Sequence, residues 1–246
     1  MDWRDKFTAR EKGPKDLVTE ADLASQVAIN KLLLEAHPDF DFLGEEDLSL
    51  GGRATSRKSD YRWIVDPLDG TANYVHRLQT FATSIGLQYR DQIIAGAIFD
   101  PISDECYTAA LGGGAFLNGQ PIRVSDCAEI SQALVAVSFR ANVDRGSQDV
   151  TRFIETMHAC QSIRRLGSAA LNCCYVAAGR LDGYFATSGI QAWDVAAGVL
   201  IITEAGGTLS GIDGGPLDIE SPEMIAASSP ILHRQMLDVI RRADGI

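Results

Sequence analysis

An α/β fold, with an antiparallel half followed by a half in which strands and helices alternate, is predicted by three features of the chain. Short apolar runs broken by turn residues follow one another from Thr83 to Val124, the pattern of a meander. Beyond Asp126 strand-like and helix-like stretches take turns. Over 246 residues, 46% hydrophobic and 22% charged, there is enough apolar material to bury a substantial core.

Thr19 caps the first predicted helix, and Thr19-Glu20-Ala21-Asp22 has the form of a capping box; Leu23, Val27 and Leu34 then share one face up to His37-Pro38. Residues 39–43 read as a short strand that delivers Gly44-Glu45-Glu46, and residues 61–65 as a strand that delivers Asp66. Two strands thus end in acids. The meander comprises 84–89, 93–99 and 105–109, turned at Arg90-Asp91 and Asp100-Pro101, with Gly112-Gly113-Gly114 and Asn118-Gly119 as further tight turns. Strands follow at 133–139, 182–185 and 224–227, and helices at 148–160, 168–178, 194–205 and 231–242. A boundary near residue 127 divides 1–127 from 128–246.

The net charge of −11, with no basic stretch to offset it, excludes nucleic acid and anionic membranes as partners. An acidic chain that handles phosphate needs a cation between them. No apolar stretch reaches membrane-spanning length, and residues 1–6 are charged where a signal peptide is apolar, so a cytoplasmic location is expected. Cys106, Cys127, Cys160, Cys173 and Cys174 are odd in number and contain no C-x-x-C pair; they read as buried thiols. His37, His76, His158 and His233 show no ligand spacing and read as structural or exposed.

The chemistry concentrates in Asp66-Pro67-Leu68-Asp69-Gly70-Thr71-Ala72-Asn73, where an apolar strand breaks into a Gly-Thr turn. Two carboxylates this close repel and lose solvation unless a proton or metal offsets the charge. Mg²⁺ takes six oxygen ligands at roughly 2.1 Å, and acids at separate strand ends suit it. Glu45, Asp66, Asp69 and Asp194 are the candidates. Each has an ordinary reading beside the functional one: Asp194 as a helix N-cap, Glu45-Glu46 as a solvated loop, Asp66-Pro67 as a turn. Thr71 reads as a cap or as a catalytic hydroxyl, Asp22 as a capping-box partner or as its catalytic companion, and Gly167-Ser168-Ala169 as tight helix packing. Free N–H groups at Gly70-Thr71, opening a helix, suit an anion, and Gly70 permits close approach.

Taken together, these elements resemble the inositol monophosphatase family. Asp66 to Asn73 matches its D-P-[ILF]-D-G-T-x-N signature, and Trp193-Asp194-Val195-Ala196-Ala197-Gly198 resembles its second signature. Gly44-Glu45-Glu46 and Asp16-Leu17-Val18-Thr19-Glu20-Ala21-Asp22 resemble its G-E-E and D-x-V-T-x-x-D elements, so the likeness runs from Asp16 to the C-terminus. It implies a layered αβαβα sandwich of the inositol monophosphatase and fructose-1,6-bisphosphatase type, with most ligands in 1–127 and Asp194 and substrate contacts supplied by 128–246.

It also implies an enzyme: a Mg²⁺-dependent, lithium-sensitive phosphomonoesterase of inositol metabolism that hydrolyses a small polyol phosphate, foremost inositol 1-phosphate. Glu45, Asp66 and the Leu68 carbonyl would hold one ion, and Asp66, Asp69 and Asp194 a second, with a weaker third near Glu45. One ion lowers the pKa of a water and the other steadies the leaving oxygen. Thr71 and Asp22 would orient and help deprotonate that water for in-line attack without a phosphoenzyme. Glu45, Leu68, Asp69, Gly70, Thr71 and Asp194, with Gly167, Ser168 and Ala169, would meet the substrate. Relatives are commonly homodimers.

Two departures stand out. Inositol-processing relatives carry a Glu shortly before the position of Gly189, where this chain has Ala186-Thr187-Ser188, so histidinol phosphate, fructose 1,6-bisphosphate and 3′-phosphoadenosine 5′-phosphate remain alternative substrates. Most of the family's first helix is missing, with residues 2–10 as its remnant; Lys12 and Lys15 stand near an expected basic position and are assigned no role. Two rival readings compete. A phosphoaspartate mechanism of the D-x-D type is opposed by two residues, Pro67 and Leu68, between the acids. A metal- and phosphate-binding module without catalysis is opposed by the presence of both Thr71 and Asp22.

Overall fold

The computed structural model describes residues 9–13, 16–49 and 57–245. A hairpin of β1 (Arg10–Gly13) and β2 (Asp16–Val18) leads into α1 (Glu20–Ala36). Next come β3 (Asp41–Gly44), α2 (Glu45–Ser49), β4 (Tyr61–Asp69), α3 (Thr71–Val75), β5 (Ala82–Tyr89) and β6 (Gln92–Asp100). The hairpins continue through β7 (Glu105–Ala110), β8 (Gly114–Leu117) and β9 (Gln120–Pro121). After a 3₁₀ turn at Ile130–Gln132 the chain alternates: β10 (Leu134–Ser138), α4 (Gln148–Ala159), β11 (Ser162–Arg164), α5 (Ala169–Ala177) and β12 (Gly183–Ala186). It closes with α6 (Ala192–Glu204), β13 (Thr208–Gly211), β14 (Met224–Ala227) and α7 (Pro230–Asp244).

The expected order of layers is present. A seven-stranded sheet, β3-β4-β5-β6-β7-β8-β9, is antiparallel except where β3 meets β4, and a five-stranded sheet has the order β11-β10-β12-β14-β13. Helices α5 and α6 lie between the sheets, α1 lies against the outer side of β4, and α4 packs on α7 beyond the second sheet. The stretch between Pro121 and Leu134 links the last strand of the seven-stranded sheet to the first strand of the other.

The middle layer explains the composition of α6. Ala192, Trp193, Val195, Ala196, Ala197, Leu200, Ile201 and Ile202 are all buried, as a helix with sheet on one side and another helix beside it requires. Close approach depends on missing side chains. A Cβ on Gly96 of β6 would lie 3.0 Å from the Cα and O of Ala197, and one on Gly198 would lie 2.4 Å from Cys173 Cβ on α5.

Several expectations are corrected. Val27 is 70% exposed, because the face that α1 buries is Ala21-Asp22-Gln26; Gln26 accepts from the Glu46 N–H (2.9 Å) and donates to Asp47 (2.9 Å). Helix α6 starts two residues before Asp194. Glu45 and Glu46 open a short helix rather than sit in a loop. Cys160, Cys173 and Cys174 are buried thiols, whereas Cys106 and Cys127 are only partly so. Arg10 belongs to β1 and Ala9, just before it, is exposed, while residues 2–8 of the expected helix remnant, like Lys15, lie outside the described residues.

Gly198→Ala should lower stability by about 1–3 kcal/mol, since the added methyl has no room without moving α5 from α6. Urea denaturation measures this; an unchanged midpoint would show that the two helices part freely.

Candidate metal centre and active site

Strand β4 presents its acids through a bulge. Asp66 pairs with Ser84 and Asp69 with Ala82, so three steps on β4 match two on β5. In a regular strand, residues three apart point to opposite faces. The extra residue restores parity and brings both carboxylates to one side. Pro67 falls inside the bulge, where its missing N–H breaks no ladder bond. Its carbonyl accepts from Ser25 Oγ (3.0 Å) and Thr83 Oγ1 (3.1 Å), which fastens the bulge to α1 and β5. The Leu68 N–H donates to Asp66 Oδ1 at 2.9 Å.

Asp194 reaches the same point from the first turn of α6. It is the third helical residue of a capping box rather than the N-cap itself: Gln191 is the cap, and its N–H donates to Asp194 Oδ2 at 2.7 Å. Oxygens of Asp66, Asp69 and Asp194 lie within 4.8 Å of one another. Asp66 is only 1% exposed.

Burial first, then the charges of Glu45, Asp69 and Asp194, holds the Asp66 carboxyl well above the usual carboxylate range. Asp194 is raised in the same way, by burial and then by Asp69. Asp69 is raised to about 6 by burial, against hydrogen bonds that favour its charge. Those bonds come from the start of α5: the Ser168 hydroxyl and the Ala170 N–H (2.9 Å) donate to Oδ2, and the Ala169 N–H (3.1 Å) to Oδ1. Three hard oxygen donors, buried and mutually repelling, fit a divalent cation of the Mg²⁺ type. Glu45 stands near enough to raise Asp66 and Asp194, yet outside the three-carboxylate group.

Asp22 satisfies both of its readings at once. Oδ2 accepts from the Thr19 N–H (2.9 Å) and hydroxyl (2.6 Å), completing the capping box of α1. Oδ1 accepts from the Thr71 hydroxyl at 2.9 Å. That hydroxyl also lies 3.1 Å from the Leu68 carbonyl, and its single proton serves one of the two acceptors at a time. Burial raises the Asp22 pKa against its bonds to Thr19 and Thr71.

Gly70 precedes α3 at φ +91°, and a Cβ there would lie 2.9 Å from Thr80 O and 3.2 Å from Gly167 O. Both the angle and the space demand glycine. Sequence reasoning overlooked the role of Asn73, although it closes the signature: Nδ2 donates to Thr80 O and Leu166 O, each at 2.7 Å, and so ties α3 to the turn that precedes Ser168. Ser168 and Ala169, expected to face the substrate, direct the donors described here at Asp69. Gly167, at φ +82°, packs on Asn73.

Comparison with known proteins agrees with this geometry. The model of the inositol monophosphatase family matches residues 1–244. An inositol-1-monophosphatase of Mesorhizobium japonicum is 40% identical over 94% of this chain and 85% of its own length. The Nus factor SuhB of Pasteurella multocida is 36% identical over 97% and 87%. The crystal structure of the extragenic suppressor protein suhB from Bartonella henselae superposes with a TM-score of 0.87 at 34% identity, covering 97% of this chain and 90% of that one.

The raised Asp69 carries a pH signature. Its unfolded value is 3.8 and its folded value about 6, so between these the folded chain holds a proton that the unfolded chain has released. Without metal, stability should therefore fall as pH rises from about 4 to about 6 and stay lower above. Asp69→Asn has no such proton. Denaturation in EDTA should show wild type losing stability relative to this variant across that window; parallel curves would contradict the assignment.

Proposed function

Because the chain belongs to the inositol monophosphatase family, we propose that it is a Mg²⁺-dependent phosphomonoesterase acting on a small polyol phosphate, with inositol 1-phosphate its leading substrate. Family membership makes it a phosphoric monoester hydrolase; the polyol, the metal and the number of ions belong to the proposal. The observation that carries it is the Thr71 hydroxyl held by Asp22 at 2.9 Å beside the buried carboxylates.

When bound, the cation supplies positive charge for the phosphate oxygens and a lowered water pKa. Asp66, Asp69 and Asp194 would hold one ion, and Glu45, Asp66 and the Leu68 carbonyl a second. By taking the proton of Thr71, Asp22 turns the hydroxyl's lone pairs outward to accept a proton from the attacking water. A buried Asp22 with a raised pKa is a better acceptor than a solvated aspartate. The N–H groups at Gly70 and Thr71 meet the phosphate, Asp69 and Asp194 meet the alcohol hydroxyls, and Gly167, Ser168 and Ala169 fix Asp69 in place. No described helix is long and apolar enough to cross a membrane. A cytoplasmic homodimer is the form we infer.

Thr71→Ala should lower kcat by roughly 10²-fold or more through loss of general-base assistance, with Mg²⁺ affinity retained. Steady-state phosphate release and calorimetric Mg²⁺ titration measure the two; a wild-type rate would leave Thr71 only its place at the start of α3. Release from inositol 1-phosphate, histidinol phosphate, fructose 1,6-bisphosphate and 3′-phosphoadenosine 5′-phosphate should require Mg²⁺ and be inhibited by Li⁺. Undiminished turnover in EDTA would sink the metal assignment.

A further inference from the structure

A cavity of about 400 Å³ lies between α1 and the outer side of the seven-stranded sheet. Ala21, Ala24 and Ser25 of α1 form one wall, and Phe99 and Pro101, at the end of β6 and just beyond it, form the other. On its floor are Leu68, Tyr74 and Phe81, which with Ala21 make an apolar cluster apart from the two main cores. Tyr74 and Phe81 meet edge-on, their ring centroids 5.2 Å apart. Four buried residues make a small core, and its walls are only half covered. Phe99 is 39% exposed, and the α1 face that carries Ala24 continues as Ala28 and Leu32, both exposed. Among the described residues no charged side chain lines the cavity, so an apolar occupant suits it.

The cavity also backs onto the bulge in β4. Pro67 and Leu68 line it, as do Ser25 and Thr83, whose hydroxyls hold the Pro67 carbonyl. Whatever occupies the cavity therefore bears on the backbone between Asp66 and Asp69.

One segment of the chain is within reach. In the β1–β2 hairpin Arg10 pairs with Val18, and one further step in that register sets Ala9 opposite Thr19, the cap of α1. Ala9 is thus level with the first turn of α1, where the cavity begins at Ala21. Eight residues precede it, Met1-Asp2-Trp3-Arg4-Asp5-Lys6-Phe7-Thr8. Fully extended they span at most about 29 Å, whereas the wall from Ala21 to Ser25 is only about 6 Å long. Trp3 and Phe7 are four positions apart, the spacing at which two side chains share one side of a helical turn, and the residues between them are charged.

We propose that residues 1–8 dock in this cavity, with Trp3 and Phe7 closing the cluster over Tyr74 and Phe81 and bracing the bulge from behind. Two aromatic side chains bring the apolar area that a four-residue cluster lacks. Arg4, Asp5 and Lys6 then keep their charges in water. The bracing rests on the metal-centre reading above; the docking does not.

Urea denaturation in EDTA tests the docking without metal. Trp3→Ala should lower the folded-to-unfolded ratio roughly 10-fold or more. Ala24→Phe, which puts a ring into the same cavity, should destabilise wild type but restore stability to Trp3→Ala, because two rings compete for one space. The same effect of Ala24→Phe in both backgrounds overturns the docking. Should Ala24→Phe fail to fold, acrylamide quenching decides: the emission that disappears in Trp3→Phe should be shielded in wild type, and free access of the quencher to it rejects the proposal. A second copy seated in the cavity would give a midpoint that rises with protein concentration and is indifferent to Trp3, which also rejects it. With docking upheld, Trp3→Ala should weaken calorimetric Mg²⁺ binding several-fold, and unchanged affinity overturns the bracing.

Discussion

Negative charge held out of water is the constraint around which this molecule is arranged. Asp66, Asp69 and Asp194 lie within 4.8 Å of one another, and burial pushes all three toward their neutral forms. Left to themselves they would spread apart or recruit protons. They are kept in place by a bulge braced at Pro67, by the first N–H groups of α5 on Asp69, and by the capping box of α6 on Asp194. Each device opposes the desolvation cost, and none removes the mutual repulsion. A divalent cation among them would.

The middle layer transmits this requirement to the core. Helices α5 and α6 both begin at these carboxylates, so their spacing from the seven-stranded sheet and from each other sets where Ser168 and Asp194 meet β4. Gly96 sets how closely α6 approaches that sheet, and Gly198 how closely it approaches α5, each by having no side chain. Residues that never touch the site therefore determine its width. Because β4 belongs to one sheet and the helices pack on both, the three carboxylates come from across a layer boundary and tie the layers together.

Much of this was legible in the sequence. Strand ends carrying acids, the Thr19 cap, the Gly70-Thr71 turn and the change from meander to alternation follow from local rules, and the αβαβα order followed from the resemblance they carried. What was not legible is long-range. Nothing near Asn73 says that its amide will bind Leu166, 93 residues away. Val27 fits an apolar stripe, but α1 buries Asp22 and Gln26 instead because their partners, Thr71 and Glu46, are supplied by other elements. The start of α6 was misplaced because Gln191 is an unusual cap, while Asp194 looked like a good one. For Asp22 the local alternatives were not exclusive: a carboxylate has two oxygens, and each does one job.

The bulge in β4 has a consequence for how such sites can vary. Two acids an odd number of positions apart meet on one face only if the strand gains a single uncompensated step, so the interval between Asp66 and Asp69 encodes backbone geometry as well as chemistry. The identity of Leu68 is then open to any residue that fills the adjoining core and offers a carbonyl, whereas the length of the interval is not open at all. Inserting one residue would turn Asp69 away from Asp66 for as long as the bulge remains, and removing one would keep them on one face only by erasing the bulge braced at Pro67, although every functional group would still be in the chain. Substitution and insertion, often treated as graded versions of the same change, are here different in kind.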